Sequence, residues 1–531
     1  MSLTRCYALG QRRLVAWENL SVYKANFCVG KHHNVRSINT VKSHISAQSF
    51  ETTKPFSAIP GPISLPVLGT LLPYKIGTKR VQTYHQDVCS LYHKYGPVVR
   101  EVFSSGTVIH VFDLADIRAV YESDGRTPHV PPLQETTKAY RELKHLSPGL
   151  GNINGEKWYK LRNAVQQMML RPQEVSHYYP LQDDVAKKAV ERLALEADDQ
   201  GFIPQLHFFI TKWIMESAGM CCFEKSLGCL SGGAKEDLAQ KMVEADIEIF
   251  KLSAELRFSL QLYRYYKTPK YSRLLDYSDF FYGVTLKFIS DTVDEIKALV
   301  AEKKLKAGQF NFLTYLMSRK ELSEDDIDAI TLSLFTDGLS TTAPTLLGNL
   351  HCLALNPSIQ ERLYQEIKAH VKPDAPITPQ TINKLHYLRA FVKEVFRFYP
   401  IGEAVQRFLQ KDLVLSGYHV PAGTRVELSS YVWLQSSDYF KDPTTLSPER
   451  WLRDSAKHAS VDPYLHIPFS IGTRMCVGRR FAIQDLYCGL CRLLLKFQLV
   501  ATDKSPPQQE WNTLLKPKFS QPVPIQFILR K

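Results

Sequence analysis

The chain is 531 residues long, 44% of them hydrophobic, and carries a formal charge of +13 from 66 Lys and Arg against 53 Asp and Glu. Apolar content of that order is ample for a sizeable core. Seven basic residues against Glu18 alone put about half of the net charge in the first fifty positions; with no basic patch interleaved with aromatics elsewhere, the surplus argues against a nucleic-acid binder.

In chain order, the first stretch is nearly acid-free and rich in Arg, Lys, Ser and Asn, with Arg5, Arg12, Arg13, Lys24, Lys31, Arg36 and Lys42. That is the composition of an organelle transit peptide, cleaved somewhere between about 30 and 50, a disordered basic tail being the other reading. No segment offers the roughly eighteen uncharged apolar residues of a membrane span. Ten cysteines without metal-ligand or disulfide spacing indicate a reducing compartment. Cys488-x-x-Cys491 falls in an apolar helical run, where packing is expected rather than redox chemistry.

Ile59-Pro-Gly-Pro62 opens the folded part as a stiff extended segment. Residues 98–102 and 107–112 are β-branched and predict a hairpin around Ser104-Ser-Gly106. Trp158 and Arg162 follow a Gly/Asn/Pro-rich loop at i,i+4 spacing, so they share a helical face; an indole N–H and a guanidinium aimed the same way can hold a carboxylate. From 180 to 300 the pattern is mostly helical, with aromatic clusters at 262–266 and 280–282, most of them expected to be core.

Ser323-Glu-Asp-Asp326 supplies an N-cap and first-turn acids, and predicts one helix running to Leu355 before Asn356-Pro357. Some 33 residues would span about 50 Å, through the middle of the molecule. Its centre reads Phe335-Thr-Asp-Gly-Leu-Ser-Thr-Thr-Ala-Pro344, where Pro344 cannot donate to the Ser340 carbonyl; a kink or opening is expected there. Asp337 lies i,i+4 from Thr341 and faces the same way. Further on, Glu394 and Arg397 are spaced i,i+3 for a charge-assisted pair, and Arg389 and Lys393 project from one helical face.

The stretch around which the chain is organised is Phe469-Ser-Ile-Gly-Thr-Arg-Met-Cys-Val-Gly478, followed by Arg479-Arg480 and a helical pattern. Gly472 and Gly478 allow tight turning or close approach to a flat ligand. A helix N-terminus and guanidinium groups favour a thiolate, so a permanently deprotonated Cys476 is expected, and a soft anionic sulfur is a ligand for a transition metal.

This decapeptide resembles the haem-thiolate loop of the cytochromes P450, and three further motifs in the same order are similar to that family: Trp158-x-x-x-Arg162, the 335–344 helix centre, and Glu394-x-x-Arg397 with Pro448-Glu-Arg450-Trp451. The resemblance implies a mainly α fold, a large helical domain with a small β-rich lobe, over residues 51–531, behind a transit peptide and linker at 1–50. It implies haem b (iron protoporphyrin IX) with Cys476 as axial ligand. Trp158, Arg162, Arg407 and Arg474 would bind propionates, Phe469 would pack by the sulfur, and Gly478 would belong to the haem loop. Glu394, Arg397 and Arg450 would form a buried architectural network. The family's oxygen-binding helix usually reads small-Gly-x-acid-Thr-Thr/Ser; here Gly338 leaves room for dioxygen and water, while Ser340 takes the acid position and Asp337 the small one. Thr341 is the expected proton donor to dioxygen, with Asp337 or a water on Ser340 as the proton source. A closing hairpin from Leu514 to Phe527 would touch substrate.

By the same resemblance Arg389 and Lys393 match the basic pair that docks an acidic iron–sulfur ferredoxin, itself served by an NADPH reductase. The family's endoplasmic-reticulum members carry an apolar anchor; its absence and the leader imply the mitochondrion, on the matrix side of the inner membrane with peripheral membrane contact. The reaction implied is monooxygenation of a bulky apolar substrate, a steroid above all, with ecdysteroid biosynthesis as the finer assignment. Xenobiotic oxidation, a haem-thiolate isomerase or dehydratase, and a non-catalytic haem protein stand as alternatives.

Overall fold

In the computed structural model, which describes residues 53–306, 308–456, 458, 461–504, 508–518 and 523–530, the proline-rich segment runs beside the first strand. The Arg100 N–H donates to the Pro60 carbonyl at 2.8 Å. A Cβ on Gly61 would sit 1.9 Å from the Arg100 carbonyl oxygen, so only glycine fits this approach. The leader and its junction at residue 50 lie outside the described residues.

The expected hairpin forms from β1 (Val98–Phe103) and β2 (Gly106–Val111), paired from Val98↔Val111 to Phe103↔Gly106. Two later strands, β3 (Val405–Phe408) and β4 (Arg425–Leu428), complete a four-stranded sheet in the order β1-β2-β4-β3, with β2 and β4 parallel and the other pairs antiparallel. Apolar residues alternating along these strands pack on helices and loops to form the β-rich lobe.

Helices make up the larger body. Those that position the site are α1 (Glu135–Leu143), α2 (Gly155–Leu170), α3 (Leu206–Phe223), α4 (Gly233–Arg257) and α5 (Pro269–Ala301). They are followed by α6 (Glu324–Asp337), α7 (Leu339–Leu355), α8 (His386–Phe398) and α9 (Arg479–Lys496). Ser323 caps α6 in the predicted way: its hydroxyl accepts from the Asp326 N–H while the Asp326 carboxylate accepts from the Ser323 N–H. The α6–α7 rod is buried on nearly every face, with Ile330, Phe335, Leu339, Leu346 and Leu350 sealed from solvent. It therefore runs through the core, as an all-round apolar helix must.

The rod is not the single helix predicted. It is interrupted at Gly338, and Pro344 sits inside α7. Gly338 keeps helical dihedrals of −73° and −29°, so the interruption lies in hydrogen bonding. The Thr341 hydroxyl reaches the carbonyls of both Asp337 and Gly338, at 3.3 and 3.2 Å, and competes with the backbone ladder there.

The C-terminal hairpin also differs from expectation. β6 (Gln508–Asn512) pairs with β7 (Leu514–Lys518) across Thr513, whose φ of 69° closes a tight turn, while β8 (Ile525–Leu529) returns to β5 (Phe497–Ala501). Residues 514–527 are therefore shared between two pairs of strands. Cys488 and Cys491 are both free and fully buried, as core residues.

Candidate haem site

The loop before α9 is shaped by its own backbone. The Cys476 N–H donates to the Phe469 carbonyl at 2.9 Å, the Met475 N–H to the Gly472 carbonyl at 3.2 Å, and Gly472 has a φ of 75°. Gly478 caps α9. The Phe469 ring packs edge-on against Phe396 of α8 at 5.1 Å, which fixes the loop on the helical body.

Cys476 stands exposed to a cavity of about 370 Å3 deep in the protein. Burial pushes the Cys476 thiol up, and the Gly478 and Arg479 amides and the Arg162 guanidinium only partly offset it. A coordinated metal ion deprotonates such a thiol outright, so the loop suits a sulfur that is metal-bound.

The cavity wall brings together residues scattered over more than 300 positions: Trp158, Arg162, Asp337, Gly338, Thr341, Arg407, Phe469, Arg474, Cys476 and Gly478. Trp158 and Arg162 lie on one face of α2, as their spacing predicted, and both are buried. The Arg474 guanidinium lies 3.7 Å from the Trp158 ring centroid and donates to the Pro128 and Ile153 carbonyls and to Asn154. Arg162 donates to the Met475 carbonyl at 2.8 Å. Arg407, on β3, donates to Asp124 at 2.8 Å.

The buried guanidinium groups of Arg162 and Arg407 and the half-buried one of Arg474 thus converge, and among the described residues Asp124 is the one carboxylate hydrogen-bonded to any of them. Arg162 Nε and Arg407 Nη2 have no hydrogen-bond partner there. Burial beside Arg407 and Arg162 pushes the Arg474 pKa down to about 9. Such a surplus of buried positive charge calls for an anionic ligand. Haem fits this lining: Arg162, Arg407, Arg474 and Trp158 would hold its two carboxylates, and Cys476 would hold its iron.

The remaining predicted residues divide clearly. Asp337, Gly338 and Thr341 line the cavity; burial pushes the Asp337 carboxyl up, against the pull of Arg141. Ser340 does not line it: its hydroxyl donates instead to Asp246 of α4 at 2.6 Å. The aromatic cluster at 280–282 contributes Phe281 and Tyr282 to the core, whereas Tyr265 and Tyr266 are exposed.

Glu394 accepts from Arg397 Nη2 at 2.8 Å, Arg450 Nε at 3.0 Å, Trp451 Nε1 at 2.8 Å and the Ser447 N–H at 3.0 Å. Arg397 continues to the carbonyls of Leu434 and Pro443, so the network ties α8 to the segment ahead of the cysteine loop. Arg389 and Lys393 are exposed on the same side of α8, and the Lys393 ammonium lies 4.1 Å from the Trp451 ring centroid. Sequence reasoning missed Asp124, Asn154, Arg141 and Asp246, whose partners are distant in the chain; no local spacing marks them.

The cytochrome P450 family profile matches residues 59–524. The chain is 40% identical over 489 residues to a probable cytochrome P450 CYP44 of Caenorhabditis elegans, covering 90% of this chain and 96% of that protein. It is 28% identical over 481 residues to the mitochondrial 1,25-dihydroxyvitamin D(3) 24-hydroxylase of Rattus norvegicus, covering 90% of each. It is 28% identical over 470 residues to a probable cytochrome P450 301a1, mitochondrial, of Drosophila melanogaster, covering 86% and 84%. With the profile spanning both the helical body and the β lobe, the chain belongs to the cytochrome P450 family, haem monooxygenases whose iron is held by a cysteine thiolate.

Proposed function

We propose that residues 51–531 form a mitochondrial steroid-class monooxygenase that receives its electrons from an acidic ferredoxin, behind a transit peptide and linker at 1–50. The observation that carries this is a shared wall. Phe469 and Ser470 border both the cavity and a surface depression lined by Arg389, Lys393, Arg362, Arg453 and Arg479, against Glu449 and Asp454. A basic depression backing the cysteine loop suits a small acidic electron carrier, docked by charge and close to the metal ligand.

Bound haem supplies the activation of dioxygen. The protein's part is to hold Cys476 against it, neutralise its carboxylates, and deliver protons from the cavity wall. Thr341 and Asp337 are the hydroxyl and carboxylate assigned to that delivery, on a wall that also carries Ser333, Thr342, Ser470 and Asp485. Apolar walls from Val130, Leu150, Ile214, Leu334 and Val405 suit a bulky apolar substrate. The hydroxylase relative, named for a secosteroid, supports the steroid class; ecdysteroid biosynthesis is the finer assignment within it. Two relatives named as mitochondrial support the compartment. Among the described residues no helix is long and apolar enough to cross a membrane. Ile63, Val67 and Ile76, together with Tyr265 and Tyr266, expose apolar surface suited to peripheral contact with one.

The test is reconstitution with a mitochondrial-type ferredoxin, its reductase and NADPH against a panel of sterols, steroids and xenobiotics. Oxygenated steroid is the expected product. Turnover confined to xenobiotics would reject the substrate class, and reduction only by a flavoprotein reductase would reject the ferredoxin. Charge reversal at Arg389 and Lys393 together should lower the rate of ferredoxin reduction by about 10-fold or more at low salt, with the difference shrinking as salt rises. Asp337→Asn should slow turnover and raise peroxide release by about 10-fold; unchanged coupling would remove Asp337 from proton delivery.

A further inference from the structure

A second cavity, of about 330 Å3, lies between α3, α4, α5 and the loop 224–232, and among the described residues no side chain lines both it and the haem cavity. Folded interiors hold few voids larger than a water molecule, and an apolar cavity of about 150 Å3 is already enough to take up benzene. A space this large is not packing slack. Its floor is apolar, from Met215 and Phe223 of α3, Met242 of α4, Phe288 of α5 and Leu227 of the loop. The loop wall is fixed from behind. Glu216, 7% exposed, accepts from the Ser226 hydroxyl and from the Cys229 N–H, so the shape of the cavity is set before anything binds.

Polar groups sit at the mouth. Ser226, Lys235 and Asp291 line the cavity and are exposed. Lys225 lines it too, but its ammonium is paired with Glu295. Lys235 and Asp291 have no ion-pair or hydrogen-bond partner among the described residues. One unpaired cation and one unpaired anion at the rim leave no net charge for an ionic ligand to answer. They suit a group that accepts from an ammonium and donates to a carboxylate, and an alcohol does both. A volume at the lower end of small-molecule sites (about 300–1,000 Å3) suits a compact ring system.

The cavity floor reaches the central rod. The Phe223 ring lies 5.3 Å from that of Phe335 on α6, and Phe288 lies 6.4 Å from each of them. Phe335 stands two residues ahead of Asp337, on the wall of the haem cavity. Met242 is one turn from Asp246, which holds Ser340 of α7. The two attachments straddle the interruption at Gly338, so mass placed in the cavity bears on both halves of the rod.

We propose that this cavity is a second ligand site, for a neutral, compact apolar alcohol of the steroid type, and that its occupancy is coupled through Phe223, Phe288 and Phe335 to the haem cavity. The coupling is reciprocal, as linkage requires, so each site shifts the affinity of the other by the same factor. The site is independent of the substrate and electron donor proposed above, and its test needs no turnover.

The experiment is equilibrium dialysis of labelled pregnenolone against the haem-loaded full chain, with the iron saturated by an azole that keeps the steroid out of the haem cavity. Wild type should bind one equivalent and Ala239→Trp none, since the indole grows from α4 into the space. Lys235→Met and Asp291→Asn should each weaken binding by about 10-fold. Dodecanoate and pregnenolone sulfate, both anions that Asp291 repels, should bind at least about 10-fold more weakly than the alcohol. Pregnenolone should also change the affinity of the azole for iron, read from the Soret shift, by about 5-fold in wild type relative to Ala239→Trp. No bound equivalent, equal binding to Ala239→Trp, or tighter binding of dodecanoate overturns the site as assigned. An azole affinity that responds to pregnenolone equally in both proteins overturns the coupling. Should Ala239→Trp fail to take up haem, Leu227→Trp fills the same cavity from the loop and decides.

Discussion

Cys476→Ser should give a folded protein that has lost its thiolate-haem signature and its oxygenating activity. The side chain faces the cavity and is not packed in the core, so its exchange removes no buried apolar contact. Circular dichroism and the unfolding midpoint of the haem-free chain should match wild type. The chemistry changes completely, since a serine hydroxyl is a hard, weakly acidic donor and cannot supply the soft anionic sulfur that favours O–O cleavage. The measurement is the absorbance of the reduced, carbon monoxide-treated protein together with product formation. Retention of both would remove Cys476 as the metal ligand and leave the cavity without its chemistry.

Glu394→Ala should act in the opposite way, on stability before chemistry. Glu394, Arg397 and Arg450 are buried, and one carboxylate answers donors from both arginines, Trp451 and the Ser447 backbone. Removing it leaves two buried guanidinium groups with carbonyl partners but no countercharge. A loss of about 3–5 kcal/mol is expected, the usual cost of breaking a buried ion pair from one side. Denaturant unfolding of the haem-free chain should show a lower midpoint, and little of the protein should be recovered with haem. An unchanged midpoint would mean that the network is not what holds the segment before the cysteine loop.

The two variants also mark what could be read from residues alone. Short-range patterns were legible because their partners are local: the α2 face of Trp158 and Arg162, the Ser323–Asp326 cap and the Glu394–Arg397 turn all obey helical spacing. The interruption at Gly338 was misplaced to Pro344, since sequence shows which residue forbids a hydrogen bond but not where the helix yields. The closing hairpin was misjudged because β-strand partners are set by tertiary pairing, and 514–518 found its mate upstream. Nothing local could reveal that Ser340 turns away from the cavity, as its partner Asp246 lies on another helix 94 residues earlier. The same holds for Asp124 and Arg407.

The parallel pairing of β2 with β4 joins Val108 to Arg425, so the first hairpin must wait for most of the chain before its sheet can close. Contacts this far apart along the chain slow folding, and leave an unpaired strand edge during synthesis. Chaperone demand and sensitivity to truncation should therefore be set by this lobe, and a chain ending before residue 425 should aggregate and not accumulate as a helical fragment.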